Sequence, residues 1–192
     1  VRIASFVISL IFIVLISFFN SDIRERNIDL TLSQIGISSD STKINIFSPE
    51  HDKLIRTAIS MFIDSPLYGQ GPNMFRKYCD DKVFYVDENS CSTHPHNTYI
   101  QLLSETGIIG FFFVFIFFIF ICWGLIRHLF FYYFRNQIKL NNIQICIYLS
   151  ILLSVWPFFP TLNFFNNWMN VIYFIPIGFF LYFRYSNKLS RF

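Results

Sequence analysis

Between Cys91 and Gly110 the chain brings together several side chains able to do chemistry: Cys91, His94, His96, Asn97 and Glu105, followed by Gly107 and Gly110. Arg56 and a spread of carboxylates precede them. Such a set suggests three chemistries. Cys91-x-x-His94-x-His96 offers thiolate and imidazole ligands, but no fourth ligand follows and no His-Glu-x-x-His pattern occurs, so chance spacing outweighs a zinc centre. A serine hydrolase would need a nucleophile elbow, which is missing. Proton transfer without metal or cofactor is left. A histidine with a pKa near ~6.5 deprotonates a hydroxyl at neutral pH, and an arginine neutralises charge developing on a phosphate. That pair suits attack of a sugar hydroxyl on an activated, lipid-held donor with a pyrophosphate leaving group.

These residues sit where polar sequence meets apolar sequence. Pro95 favours a helix start, and a helix from there runs into the apolar stretch. At 100° per residue, Leu103, Gly107 and Gly110 fall within about 40° of His96, and Glu105 falls about 180° away. The expected arrangement is one seam, with a histidine at the top and small residues below that admit a second helix. Glu105 is a poor partner for His96 on this count. Upstream, Ser48-Pro49-Glu50 starts a helix that Ser65-Pro66 stops. Its apolar face is Leu54, Ile55, Ala58, Ile59, Phe62 and Ile63, with Arg56 on the polar side. This amphipathic helix is expected on the outer membrane surface or against other helices. Residues 66–72, with Gly69 and Gly71, read as a rigid backbone turn, because no Lys-Ser/Thr follows to make a nucleotide phosphate loop. Residues 44–47 suit a short strand. Arg24 and Arg26 read as solvated charges sooner than as a phosphate site.

With 54% hydrophobic residues and 27 phenylalanines among 192 residues, the chain is too apolar for a soluble domain of its size. Four apolar runs without charge, 3–19, 108–125, 143–159 and 168–183, have about the ~17–25 residues a membrane helix needs. All 12 acidic residues lie between Asp22 and Glu105, and every charge after Glu105 is basic. The positive-inside rule places Arg2 in the cytoplasm, the 20–107 segment outside, and Arg127, Arg135 and Lys139 inside. It then places the uncharged 160–167 loop outside and the 184–192 tail inside. The expected fold is therefore all-α, a polytopic membrane protein with four transmembrane helices. The first lies in 1–19 and the other three in 108–183, and the long external loop 20–107 carries the amphipathic helix and the catalytic segment. The first run reads as an anchor, because Asn20-Ser21-Asp22 lacks the small-x-small pattern of a signal-peptide cleavage site. The net charge of +3 follows topology and implies no nucleic-acid partner. Cys79 and Cys91 lie outside on this reading and are expected to pair in an oxidising compartment. Cys122 and Cys146 pack within spans. His128, beside Arg127, is interfacial. In the last outer loop Asn163, Asn166, Asn167 and Asn170 are interspersed with Phe164, Phe165 and Trp168. The rings fit an interfacial belt, and the asparagines suit that belt or a sugar-facing rim equally.

The stretch His96-Asn97, nine residues, Gly107-Ile108-Ile109-Gly110 resembles the signature of the O-antigen ligase and polymerase superfamily of bacterial inner membranes. So does the upstream pattern of Arg56, then Asp64-Ser65-Pro66-Leu67-Tyr68-Gly69-Gln70-Gly71-Pro72, then Phe75. The likeness extends over about residues 50–180, including the Asn166-Asn167 turn. It implies metal-independent, inverting transfer of an undecaprenyl-diphosphate-linked glycan in the periplasm. The acceptor is the lipid A core for a ligase, a protein in some members, and the growing glycan for a polymerase. The resemblance implies His96 as general base or acceptor-positioning residue and Arg56 as the arginine that binds the diphosphate. His94 and Asn97 shape the substrate site, with Asn166 and Asn167 as candidates on its rim, and Gly69, Gly71, Gly107 and Gly110 are structural. Family members carry further membrane helices upstream, so a chain beginning at Val1 corresponds to their C-terminal part. Its partners then include those helices and the membrane lipids. A ligase, a polymerase and a non-catalytic segment that only binds lipid-linked sugar remain three readings of the same residues.

Overall fold

The computed structural model describes residues 2–30, 32, 48–88 and 90–189. Every regular element among them is helical and none is a strand, and the expected strand at 44–47 lies outside the described residues. The chain divides into two compact units, 1–52 and 53–192.

The first unit is built on α1 (Arg2–Phe19), followed by the one-turn α2 (Ser21–Arg24) and a π-helical stretch, Glu25–Asp29. The Asn20 side chain accepts from the Asp22 and Ile23 N–H groups and so separates α1 from α2. Ser9 and Ser17 return their hydroxyls to the carbonyls of Ser5 and Ile13, which satisfies them without any partner outside the helix. Large apolar side chains such as Phe6, Ile8, Phe12, Ile13 and Phe18 stand exposed on α1.

Most of α3 (Pro49–Asp64) belongs to the second unit. It buries Leu54, Ile55, Ala58 and Met61, and Leu54, Ala58 and Met61 pack with Phe75, Cys79 and Phe84 in a small core. The expected apolar face was wider. Ile59 and Ile63 are 40% and 71% exposed, because the contacting stripe follows i, i+4, i+7 from Leu54 and turns them outward. After α3 come the 65–74 turn and the short α4 (Phe75–Tyr78), and then a loop closed by a disulfide between Cys79 and Cys91, whose Cα atoms lie 5.0 Å apart.

Three apolar helices complete the unit: α5 (Thr98–Arg135), α6 (Asn142–Ser154) and α7 (Asn167–Leu189). They pack through Ile121, Ile151, Val155 and Phe180, with Val114, Phe117, Tyr148 and Ile177 alongside. At Gly124 a side chain would strike the Tyr148 ring, so the glycine sets how closely α5 and α6 approach. Phe112, Phe113, Ile116, Trp123, Leu153, Phe174 and Phe179 are exposed, more apolar surface than a soluble helical domain presents to water. Among the described residues one helix, α5, is long and apolar enough to cross a membrane, and Ala4–Phe19 and α6 are shorter apolar helices.

Boundaries differ from the sequence expectation where local chemistry decides them. α6 ends at Ser154, short of 159, because Pro157 disfavours helical geometry at Trp156. α5 starts at Thr98 and not at Pro95. Asn97 is its N-cap, extended at φ −144°, with its side-chain oxygen taking the Tyr99 and Ile100 N–H groups. His96, just before the cap, has a left-handed φ of 54°. α5 also breaks at Gly107 (φ 65°, ψ −166°). The expected seam from His96 through Leu103 to Gly107 and Gly110 therefore does not form: His96 precedes the helix, and the break resets the phase below it.

Candidate functional site

The break at Gly107 organises the site. Interrupting a helix orphans carbonyls before the break and N–H groups after it. Here the 66–71 turn satisfies them. Gln70 N–H donates to Ser104 O at 2.9 Å, Gly71 N–H to Glu105 O at 2.8 Å, and Ile108 N–H donates to Pro66 O at 2.9 Å. The turn is stitched into the helix backbone, so its sequence reading as a turn was right but incomplete. Gly69 (φ 66°) and Gly107 (φ 65°) face each other's segments. A Cβ on Gly69 would fall on the Glu105–Thr106 peptide, and one on Gly107 on the Leu67 carbonyl. Both positions need glycine for conformation and for approach at once. Gly110 lies in regular helix against the Thr106 side chain.

The docked turn buries Glu105 completely. Its carboxylate accepts from Asn73 N–H at 3.1 Å, Phe75 N–H at 2.9 Å and Gln101 Nε2 at 3.0 Å. Burial raises its pKa above the ordinary carboxyl value, against the pull of these donors and of the Arg76 charge. Gln101 also donates to Asn163 Oδ1 at 2.8 Å and accepts from Phe164 N–H at 2.9 Å. Asn163 Nδ2 donates to Asn73 Oδ1 at 3.2 Å, and the same oxygen accepts from Arg76 Nη2 at 3.0 Å. One hydrogen-bonded chain thus joins α5, the turn, the loop before α7 and the Arg76 guanidinium.

The histidines precede α5. His94 is buried, with Nε2 3.0 Å from the Thr161 carbonyl and Nδ1 2.9 Å from the Thr93 hydroxyl. A carbonyl only accepts, so Nε2 carries the proton and Nδ1 accepts from Thr93. Burial lowers the His94 pKa, the Thr161 bond opposes this, and the nearby His96 and Arg76 lower it further. His94 is accordingly neutral at neutral pH. The His96 ring packs on it at 4.2 Å between centroids and is half-buried. Thr161 holds both residues: its N–H donates to His96 O at 2.9 Å and its hydroxyl accepts from Thr98 at 2.9 Å. Beside Thr93, an open cleft of about 560 Å³ is lined by Arg76, Asp80, Cys91, Ser92 and Thr93.

A protein-family model described as O-antigen ligase matches residues 1–115. The chain belongs to the O-antigen ligase family. No curated protein and no solved structure matched it. Membership implies a glycan transferase of ligase or polymerase type, membrane-associated, acting on a lipid-linked glycan and a glycan acceptor. The matched residues include His94, His96 and the break at Gly107; Thr161, Asn163, Asn166 and Asn167 lie beyond them.

Within this O-antigen ligase family member the expected residues take distinct places. His94 and His96 come together. Asn97 is buried with both amide ends committed, Oδ1 to the helix start and Nδ2 to Pro157 O at 2.8 Å, so it ties the start of α5 to the segment after α6. Asn166 is exposed and caps α7 through Trp168 N–H at 3.0 Å, and Asn167 is exposed on the first turn of α7. Arg56 is exposed on α3. The arginine whose charge acts on both His94 and Glu105 is Arg76, which sequence reasoning passed over with Asn73, Gln101 and Thr161; Asn163 was named only as part of an interfacial belt or sugar-facing rim and is instead buried in this hydrogen-bonded chain. Arg76 directly follows Phe75 of the family-like pattern, the one local signal available. The Cys91, His94, His96 set does not assemble a metal centre: the Cys91 sulfur is bonded to Cys79, and both His94 nitrogens are engaged. The same bond removes both thiolates from the Cys79, Asp80, Cys91 cluster.

Proposed function

We propose that this protein transfers a glycan from an undecaprenyl-diphosphate donor to an acceptor hydroxyl at the outer face of the bacterial inner membrane, without metal and with inversion. The observation that carries this is the pair of packed histidines, their rings tilted 50° to one another: His96, half-buried in left-handed backbone, lies against a His94 held neutral, with the Arg76 charge close by. His96 is then the ring that accepts a proton. The acceptor oxygen attacks the anomeric carbon, the bond from that carbon to the diphosphate oxygen breaks, and its electron pair leaves with the lipid diphosphate. His96 takes the hydroxyl proton, while Arg76 from the cleft and Arg56 from α3 neutralise the leaving group. His94 fixes the His96 ring, and Asn97 and Thr161 fix the backbone beneath it.

The membrane arrangement belongs to the same proposal. α1, the apolar length of α5 beyond Gly107, α6 with its following loop, and α7 cross the bilayer, and the 20–107 segment lies in the periplasm. The run of basic residues after Glu105 and the exposed apolar surface of the helices support it.

The test is the surface glycan profile of cells carrying the gene with His96→Ala. Loss of glycan from its acceptor with full-length donor accumulating identifies a ligase. Single repeat units on the acceptor identify a polymerase. An unchanged profile sinks the proton-transfer mechanism and leaves a segment that only binds lipid-linked sugar.

A further inference from the structure

At the opposite end of the helix bundle lies a second site that the transfer chemistry does not use. A cavity of about 420 Å³ opens between the C-terminal halves of α5 and α7, the start of α6 and the α5–α6 connection. That volume is within the ~300–1,000 Å³ of ordinary small-ligand pockets. Its polar lining is Arg127, His128, Lys139, Gln144, Tyr148 and Arg184. The sequence places no acidic residue after Glu105, and none of Arg127, Lys139 and Arg184 forms an ion pair with a described residue. Three cations converge on one cavity without a carboxylate to balance them, an arrangement that repels itself unless an anion enters.

The cations are held in place by rings. Arg127 and Lys139 lie over Phe131 at 5.8 and 4.5 Å, and Arg184 lies over Phe120 at 5.2 Å. Such contacts orient a guanidinium or ammonium while leaving its N–H groups available to a second acceptor. His128 is fixed as well: Leu140 N–H donates to its Nδ1 at 3.1 Å, so the neutral ring keeps its proton on Nε2. Every ionisable lining group except the Tyr148 phenol therefore presents only donors or positive charge. The remaining walls are apolar and mostly aromatic, with Phe120, Trp123, Phe180 and Phe183 beside Leu140 and Ile147. Twenty residues of helix separate Gly107 from Arg127, about 30 Å of rise, which is the thickness of a bilayer's hydrocarbon core.

We infer that this cavity binds a phosphate-bearing anion, and that the phosphate is the headgroup of an anionic phospholipid from the leaflet opposite the catalytic loop. The cationic, donor-rich lining matches a phosphodiester, and the aromatic walls match the glycerol and first acyl carbons below it. A soluble phosphate compound satisfies the same cations but leaves the aromatic walls without a partner.

The experiment uses the full chain in detergent micelles, titrated with phosphatidylglycerol, phosphatidylcholine or inorganic phosphate and read by native mass spectrometry and thermal melting. Phosphatidylglycerol is expected to bind at least tenfold more tightly than phosphatidylcholine and to raise Tm. The triple variant Arg127→Gln, Lys139→Gln, Arg184→Gln is expected to lose that preference. The exposed Arg135→Gln, outside the cavity, controls for loss of general surface charge and is expected to keep it. Inorganic phosphate that protects as well as phosphatidylglycerol would uphold the anion site and overturn its assignment to a lipid. Equal binding of both lipids, or a triple variant that folds and binds like wild type, would overturn the site itself.

Discussion

Arg76 and His94 carry predictions that a bland structural role would not produce. Arg76 is exposed, so Arg76→Ala is expected to leave expression and Tm near wild type while glycan transfer falls about 10²- to 10³-fold, the usual effect of removing one donor to a developing anion. Arg76→Lys keeps the charge and is expected to restore part of the rate; parallel assays of Arg56→Ala show which cation the diphosphate uses more. His94 predicts a pH effect with a definite sign. Its folded pKa lies below the unfolded value of about 6.5, so its contribution to stability is present above that pH and is lost as pH falls below it toward the folded value. Tm of the wild type is expected to drop between pH 7 and pH 5 more steeply than that of His94→Gln. Parallel curves would mean that His94 is not held neutral by its burial.

At the scale of elements, the meeting of the 66–71 turn with the α5 break is the joint on which the site rests. Gly69→Ala and Gly107→Ala each force a Cβ onto another segment's backbone and a non-glycine residue into positive φ, so each is expected to cost upward of about 4 kcal/mol, seen as loss of folded protein in detergent. Gly178→Ala is the control. Nothing lies within 4 Å of a Cβ there, so it is expected to be neutral or to stabilise α7 by up to about 1 kcal/mol. This joint also shows why part of the site was legible and part was not. His96, Gly69 and Gly107 stand out because their types and spacing carry a family pattern. A glycine inside an apolar run reads as helix packing, though, and nothing local tells that Gly107 breaks the helix or that Asn97 outcompetes Pro95 for its start. Arg76 and Thr161 were missed, and Asn163 was read as rim and not as buried link, for a related reason. Their meaning lies in contacts such as Asn73 to Asn163, across 90 residues, which no window of sequence contains.

For the whole molecule, the helical class was legible because apolar runs dominate the composition, and the ends of those helices were less so because prolines and caps set them. The proposed topology has a direct check. With Cys122 and Cys146 replaced by serine, Lys77→Cys is expected to react with a membrane-impermeant maleimide in intact spheroplasts and Arg135→Cys only after lysis. The reverse pattern would invert the protein and remove the periplasmic reading of the histidines.

Thr161 lies 65 residues beyond His96, past the whole of α5 and α6, yet it grips both histidines. A chain emerging from the ribosome N-terminus first has made both imidazoles long before it makes the residue that fixes them. The histidines are thus mute until the α5–α6 hairpin has returned and delivered Thr161. Thr161 is a late-made latch on two early-made rings, and under the proposed function a half-made chain carries both imidazoles without the geometry that transfer needs.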